Sequence, residues 1–237
     1  MTFLTDKYER IARFCPALLL LLPILLISWL WFPTFRSNGE LLIGIMITCG
    51  IAAWIAKKVG DNGREKERKL IKIWGGYPTT ILLRHSDEIV SKITKQRYHN
   101  FLNSKMPDIS LLNEKEENDN PEEADRVYES AIEWLKEYAR DKEKNYLIFN
   151  DNIHYGFSRN LWALKPYALT INITGTILNL GLVYFMPSAI SIEWCFVTAF
   201  ILFSILVWIF GITQRFVYKA GEKYAKSLLA VCDRPLT

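Results

Sequence analysis

Apolar residues are concentrated in blocks along this chain, and charged sequence separates the blocks. The first block, Cys15 to Phe35, has no charged residue. At a rise of about 1.5 Å per residue, a helix of that length crosses the hydrocarbon core of a bilayer. The second block, Leu41 to Ala56, is shorter, but the long side chains of Lys57 and Lys58 can extend to the lipid headgroups. Both blocks are typical of transmembrane helices.

Two further apolar blocks lie in the last third of the chain, Pro166 to Ile192 and Trp194 to Gln214. Short polar turns join the members of each pair, so each pair predicts a tight helical hairpin. The pattern predicts an all-α membrane protein with four transmembrane helices as two hairpins and a helical cytoplasmic domain inserted between the second and third helices. The predicted regions are the first hairpin with its tail (1–56), the cytoplasmic domain (57–165), the second hairpin (166–214) and a basic tail helix (215–237).

The distribution of lysine and arginine predicts the orientation of these helices. Residues 57–72 carry seven basic side chains, and both terminal tails are basic, whereas the two hairpin loops together carry only Arg36. Because basic residues near the ends of spans remain on the cytoplasmic side, both termini and the central domain are expected in the cytoplasm.

The central domain reads as helical, because it contains no long alternation of apolar and polar residues. A basic helix is expected to continue the second span as far as Trp74, where Gly75-Gly76-Tyr77-Pro78 breaks it. A second helix is expected from a cap at Ser86-Asp87, and a third from Asn120 and Pro121. A polar loop is expected over 106–120, and a last helix is expected to run into the third span.

Charge divides this domain along the chain. Residues 57–105 have a net charge of +7 and residues 106–151 a net charge of −8. One interpretation is a basic part on anionic lipid headgroups beside a solvated acidic surface. The other is a basic face with aromatic residues that binds an anionic ligand, since cations neutralise phosphates and aromatic rings stack on bases. The residues predicted to bind this ligand are Arg84, His85, Lys92, Lys95, Arg97, Tyr98, His99, Tyr155 and Arg159.

Each of these residues also has a plain structural interpretation. Lys92, Lys95 and His99 share one stripe of a helix that solvent could simply cover. Tyr155 and its neighbours could pack the domain onto its own stem, and Gly156 indicates close packing or the approach of a ligand. The basic stripe of the tail helix, Arg215 to Lys226, is typical of an anchor on a lipid surface.

Three polar residues share one face of the third span: Asn172, Thr176 and Asn179. Polar groups are costly when they face lipid. They are therefore predicted either to hydrogen-bond between helices or, in an oligomer, to line a water-filled pore.

Enzyme chemistry finds little support in the sequence. The three histidines lack cysteine or carboxylate neighbours at metal-ligand spacing, and no phosphate-binding loop, nucleophile elbow or zinc-protease motif is present. The four cysteines lie in or beside apolar segments and read as reduced, buried thiols. We expect no catalytic residue, no metal and no cofactor.

An ordered set of short motifs in the central segment resembles a pattern that recurs in bacterial proteins. It consists of Trp74-Gly75-Gly76-Tyr77-Pro78, Leu82-Leu83-Arg84-His85, Lys95-Gln96-Arg97-Tyr98-His99, Asn120-Pro121 and Tyr155-Gly156-Phe157-Ser158-Arg159-Asn160. With its hydrophobic frame, the chain resembles the membrane effectors of bacterial anti-phage defence, and most closely the Hailong effectors (Hailong protein A). The resemblance implies an oligomeric ion channel beneath a cytoplasmic crown that binds a single-stranded DNA signal, which represses opening. It assigns no individual residue.

Two functions follow from the sequence. The first is a homo-oligomeric channel in the bacterial inner membrane, gated by an anionic nucleotide or single-stranded DNA that a partner nucleotidyltransferase makes, and acting in anti-phage defence through membrane disruption and growth arrest. The alternative is a non-conducting membrane scaffold or sensor whose acidic segment recruits a cytosolic partner.

Overall fold

A computed structural model describes residues 6–32, 38–106 and 110–233 of the chain. Arg36 and Arg234, which entered the prediction of orientation, lie outside the described residues. Every regular element in the described ranges is helical, which confirms the all-α class. Four helices are long and apolar enough to cross a membrane, with mean hydropathies of 2.3, 1.7, 1.5 and 2.3 in chain order.

Nine α-helices follow one another in the described part of the chain. They are α1 (Cys15–Trp31), α2 (Asn38–Trp74), α3 (Pro78–Ile81), α4 (Lys92–Lys105), α5 (Glu114–Asp119), α6 (Pro121–Tyr138), α7 (Tyr146–Phe185), α8 (Ile192–Leu206) and α9 (Gln214–Leu229). Two π-helical segments, Glu9–Phe14 and Val207–Gly211, precede α1 and follow α8. Short 3-10 turns occupy Pro187–Ala189 and Ala230–Asp233.

The chain divides into two compact units. The apolar unit contains residues 1–67 and 156–217, and the polar unit contains residues 68–155 and 218–237. Helices α2 and α7 contribute residues to both units. The two units are defined by which residues pack together and not by a membrane. The membrane boundaries expected at residues 57 and 165 therefore remain a prediction.

Small clusters of apolar side chains hold the apolar unit together. Leu20, Val59, Leu164 and Trp208 belong to one cluster, which brings together parts of α1, α2, α7 and the segment that follows α8. Lys165 lies beside this cluster and donates from Nζ to the carbonyl oxygens of Ile209 and Ile212 at 2.9 and 2.7 Å. Ile209 lies inside the π-helical turn and Ile212 directly follows it, so Lys165 satisfies acceptors at the end of this helix.

One larger core stabilises the polar unit. It is formed by buried residues of α4 and α6 together with the C-terminal helix, among them Leu102, Tyr128, Leu135 and Leu228. The sequence analysis treated the C-terminal segment as a basic tail. In the structure its apolar face completes this core, and the core includes Cys232, whose thiol pKa burial raises to about 12.

Two helix boundaries differ from the expected ones. Helix α4 begins at Lys92, because Ser91 rather than Ser86 is its N-cap and accepts a hydrogen bond from the Thr94 N–H. The expected loop over 106–120 contains the short helix α5, which a capping box between Asn113 and Glu116 starts. Helix α6 begins as expected at Pro121, with the Asn120 side chain accepting from the Glu123 N–H.

Candidate functional site

The irregular segment 82–91 in the polar unit is organised by residues that the sequence predicted to bind a ligand. Gly75 and Gly76, with φ of 78° and 150°, end α2 before it. The Arg84 guanidinium forms a bidentate pair with Asp125, with Nε–Oδ1 at 2.8 Å and Nη2–Oδ2 at 2.6 Å. Its Nη2 also donates to the Gly75 carbonyl at 2.6 Å. Arg84 therefore fastens this segment to α6.

The side chains of Lys95 and His99 form hydrogen bonds with main-chain carbonyls of the same segment. Lys95 is 2% exposed, and its Nζ donates to the carbonyl oxygens of Arg84 and Asp87. His99 is 4% exposed and its Nε2 lies 2.9 Å from the Leu83 carbonyl oxygen. Burial lowers the pKa of both side chains. These two groups are supports of the fold rather than open ligand sites.

The sequence analysis did not single out Glu117, the acidic member of this network. Its carboxylate accepts hydrogen bonds from the His85 and Ser86 N–H groups at 2.8 and 3.1 Å and from the Tyr128 hydroxyl at 2.6 Å. Burial raises the pKa of Glu117, but the hydrogen bond from Tyr128 and those from the two amides outweigh it, so that its pKa is lowered. Only its tertiary contacts distinguish Glu117 from the exposed acids beside it.

The remaining predicted ligand residues of the polar unit fall into two groups. Lys92 and Arg97 are exposed, yet Lys92 lies 3.7 Å from Glu114 and Arg97 forms a bidentate pair with Asp233 at 2.7 and 3.1 Å. His85, Tyr98 and Tyr155 face inward. The His85 Nε2 lies 3.0 Å from the Leu112 carbonyl oxygen, and Tyr98 is buried. The Tyr155 ring stacks on the Tyr224 ring, with the two centroids 6.2 Å apart.

Arg159 belongs to the apolar unit and takes part in a buried polar cluster there. Its Nη1 pairs with Glu67 at 2.8 Å, and the neighbouring Asn160 donates from Nδ2 to the Ala12 carbonyl at 2.6 Å. The Cβ of an alanine at Gly63 would overlap the Asn160 Oδ1, so this oxygen packs against the Gly63 Cα. At Gly156 an added Cβ would lie 2.7 Å from the Tyr8 hydroxyl and 3.2 Å from the Ala12 Cβ. Close helix packing therefore accounts for Gly156.

The predicted polar stripe on α7 lies inside the apolar unit. Asn172 and Asn179 are 0% exposed. Asn179 accepts a hydrogen bond from the Trp31 indole N–H at 2.7 Å and donates to the Thr198 hydroxyl at 2.8 Å. Thr176 donates to the Asn172 carbonyl at 2.8 Å, and Asn172 donates to the Ala168 carbonyl at 2.8 Å. Within one chain, α1 and α8 therefore cover this stripe, and its place in an assembly remains a prediction.

A basic surface in the polar unit involves two segments that the sequence analysis treated separately. The Trp74 and Tyr218 rings meet edge to face with their centroids 5.2 Å apart, and this contact joins the end of α2 to α9. Residues 68–74 contain three basic side chains and no acid, and residues 218–229 contain three lysines and one acid. Exposed residues of these segments include Arg68, Lys72, Ile73 and Lys219, and the exposed Tyr77 follows the first segment. We call this the α2–α9 surface.

The acidic neighbours of the α2–α9 surface include Asp87, Asp151 and Glu222. Lys223 reaches Asp151 at 2.9 Å and Lys226 reaches Glu222 at 2.6 Å, and both lysines keep about half or more of the side chain exposed, 69% and 49%. The Asp151 carboxylate is buried, whereas Lys226–Glu222 is a partly exposed pair of the kind that contributes about 1 kcal/mol or less, so a phosphate can replace this second pair at low cost.

No metal site accompanies these features in the described ranges, since no three histidine, cysteine or acidic side chains converge there. The comparison with protein-family models, curated proteins and solved structures finds no match to this chain. Its function must therefore be inferred from its own residues.

Proposed function

We propose that this chain is a homo-oligomeric membrane effector that conducts ions and is gated by an anionic nucleotide or a single-stranded DNA. The Trp74–Tyr218 contact carries this proposal, because it unites two lysine-rich, acid-poor segments in one surface. Cations neutralise successive phosphates, and the exposed ring of Tyr77 offers a plane on which a base can stack.

A soluble anion fits this surface better than a lipid headgroup does. Helix α2 is unbroken from Asn38 to Trp74, and Lys57 is the first cation after its apolar block. Lys72 then lies about 22 Å further along the helix axis. The headgroup layer is only about 5–8 Å thick on each side of the hydrocarbon core. An upright α2 would hold Lys72 beyond that layer.

The proposed topology has two hairpins, with the polar unit and both termini in the cytoplasm of a bacterium and the spans in its inner membrane. The charge pattern described above supports this orientation. The resemblance to anti-phage effectors supports a role in defence, with the signal supplied by a partner nucleotidyltransferase.

Conduction would use the polar stripe of Asn172, Thr176 and Asn179, whose amide and hydroxyl groups share one face of α7. Because α2 and α7 have residues in both units, a ligand that favours one arrangement of the polar unit can bias the apolar unit.

Binding is tested with the full-length protein in nanodiscs and a fluorescent single-stranded oligothymidylate of about 20 nucleotides. The double variant Lys72→Glu/Lys219→Glu is expected to weaken binding at least tenfold and to reduce its salt dependence. The two substitutions together lower the net charge at the phosphate contacts by four units. The control Lys115→Glu/Lys136→Glu has the same change in net charge on exposed sites of α5 and α6 and is expected to bind almost normally. Equal losses in both variants would contradict the assignment of the site.

Ion flux from liposomes separates the channel from the scaffold. The scaffold is the second candidate because Asn179 already bonds both Trp31 and Thr198, as an interhelical contact would. The channel predicts flux that changes when the oligothymidylate is added or removed, and that is lost in Asn172→Leu. Vesicles that never conduct under either condition would favour the scaffold.

A further inference from the structure

We propose that α1 is a movable cover over the polar stripe of α7, and that conduction requires α1 to separate from α7. This inference rests on the proposed function, because it names the motion that would open the proposed pore. Four observations within the apolar unit lead to it.

The first observation is a constant register between α7 and the helix that contains α1. Asn160 donates to the Ala12 carbonyl, the Cβ of an alanine at Gly175 would lie 2.7 Å from the Ile27 Cδ1, and the Trp31 indole bonds Asn179. Each contact joins residues 148 positions apart. The two helices therefore run parallel and side by side over about 28 Å.

The second observation is the kind of contact at the two ends of this pair. An amide–carbonyl bond at Ala12 closes the inner end, where Gly156 lets the backbone approach closely. An indole–amide bond at Trp31 closes the outer end. Between them lie Asn172 and Thr176, and Asn172 is wholly buried, with no hydrogen-bond partner for its Oδ1 among the described residues. A buried acceptor without a donor is costly, and water entering beside it would satisfy it.

The third observation is a proline between the two ends. Pro23 lies inside α1 and cannot donate to the carbonyl four residues before it. A helix bends most readily at such a position. The outer half of α1, with Ile27 and Trp31, can therefore leave α7 first, and complete separation also breaks the bond between Asn160 and Ala12 at the inner end.

The fourth observation is free space on the side of α1 that faces α2. Two apolar grooves of about 230 and 240 Å³ lie between these helices. Leu25, Ile45 and Thr48 line both. The grooves are open at the side, where exposed residues such as Ile24 and Ile47 line them, so α1 can shift into this space without displacing α2.

A disulfide tests the cover directly. In a background with Cys15, Cys49 and Cys195 changed to Ser and Cys232 to Ala, Ala12→Cys and Gly156→Cys place two Cβ atoms about 3.2 Å apart. This is within a few tenths of an ångström of the usual separation in disulfides of about 3.5–4.5 Å. We expect flux from liposomes, measured with and without the oligothymidylate, to fall at least tenfold on oxidation and to return on reduction. Unchanged flux after complete cross-linking would overturn the cover.

A second variant keeps the test independent of the disulfide. Trp31→Phe removes the donor to Asn179 and keeps an aromatic ring, and we expect it to raise the basal flux several-fold. The pair Ala12→Cys/Gly181→Cys is the matched control for oxidation, because an added Cβ at Gly181 would have no neighbour within 4 Å in the part of the chain that the structure describes. Unaltered flux in Trp31→Phe would also count against the cover.

Labelling distinguishes failure of the cover from failure of the channel. Thr176→Cys, added to the same disulfide background, is exposed to a water-soluble thiol reagent with and without the oligothymidylate. Peptide mass spectrometry reads the labelling at position 176 alone, because the thiols at positions 12 and 156 also react in the reduced protein. The cover predicts labelling in the reduced protein and protection in the cross-linked one. If no form conducts yet labelling follows this pattern, the channel fails and the cover stands. Equal labelling of both forms, or labelling of neither, overturns the cover.

Discussion

At the scale of single residues, the basic and histidine side chains of the polar unit do two different things. Arg84, Lys95 and His99 are bonded to the main chain of segment 82–91 or to Asp125, so their charge and hydrogen bonds stabilise the fold. Lys72 and Lys219 lie on the exposed α2–α9 surface. A basic side chain is therefore available to a ligand only where it is not already bonded within the fold.

Glu117 is expected to be the most sensitive acid of this network. Glu117→Gln keeps the size of the side chain but presents an amide group to three donors, so we expect a loss of about 2–3 kcal/mol in the free energy of unfolding. Thermal unfolding in detergent measures it. The exposed Glu122→Gln is the control and should unfold within about 0.5 kcal/mol of the wild type. Equal stability of the two variants would show that Glu117 is dispensable.

His99 is expected to make the polar unit sensitive to mild acid. Burial, with the His85 ring 4.7 Å away and Lys95 nearby, holds its pKa below the ordinary 6.5, while Glu117 acts in the opposite direction. As the pH falls below 6.5, the unfolded chain binds a proton that the folded chain does not, so stability decreases. We expect Tm to fall between pH 7.5 and 5.5 in the wild type, and less in His99→Gln, which can still donate to Leu83.

The lowered pKa of Glu117 gives a second acid transition with the same sign. Its stabilisation is present above the ordinary value of 4.5 and is lost as the pH falls through the lower folded pKa. His99→Gln should therefore keep the decrease in Tm below about pH 4.5. A variant whose Tm follows the wild type throughout would exclude His99 as the source of the first transition.

At the scale of helices, glycines determine how closely the segments of the apolar unit approach. The Asn160 side-chain amide packs against the Cα of Gly63. Gly60 lies against the Arg13 guanidinium, and an added Cβ at Gly60 would be 2.9 Å from the Arg13 Nε. Both glycines are in α2, and a side chain at either position would force neighbouring segments apart.

Gly63→Ala is expected to destabilise the apolar unit by about 1–3 kcal/mol, because the new Cβ overlaps a buried amide that also bonds Ala12. Thermal unfolding in detergent checks this. Gly181→Ala, which meets no described residue within 4 Å of the new Cβ, gains helix propensity and is expected to be neutral or stabilising by up to about 1 kcal/mol. Equal effects of the two substitutions would show that helix propensity, rather than packing, determines the change in the free energy of unfolding.

At the scale of the whole molecule, the proposed mechanism depends on where the polar unit lies relative to the membrane. If lysine and arginine have kept it in the cytoplasm, α5 cannot be reached from outside the cell, whereas the turn between α7 and α8 can. The signal, a polyanion made inside the cell, would then meet the α2–α9 surface directly.

Single-cysteine labelling in intact cells tests this orientation. With the native cysteines replaced, Lys115→Cys is expected to resist a membrane-impermeant maleimide until the cells are permeabilised, whereas Ser188→Cys is expected to react at once. Both positions are exposed in the structure, so access to the side chain does not separate them. The reverse pattern would invert the topology and remove the proposed ligand from the reach of its site.

The sequence predicted those features that follow from local pattern. Four apolar blocks predicted four helices able to cross a membrane, and the Asn120-Pro121 signal placed the start of α6 correctly. The start of α4 was misplaced because Ser86 and Ser91 are equally good caps locally. The structure instead uses Ser86 as a donor to Glu117, 31 residues away.

Segment patterning and charge counts thus determined the helical class, the apolar blocks and the expected orientation, since those properties depend on neighbours in sequence and on transfer between water and lipid. Only the tertiary structure decided which polar side chains are available. It buried Lys95 and His99, covered Asn179 with Trp31, and united Lys72 and Lys219 through the Trp74–Tyr218 contact. The physical reason is that a hydrogen bond between residues 148 positions apart depends on how helices pack, and no local pattern encodes that packing.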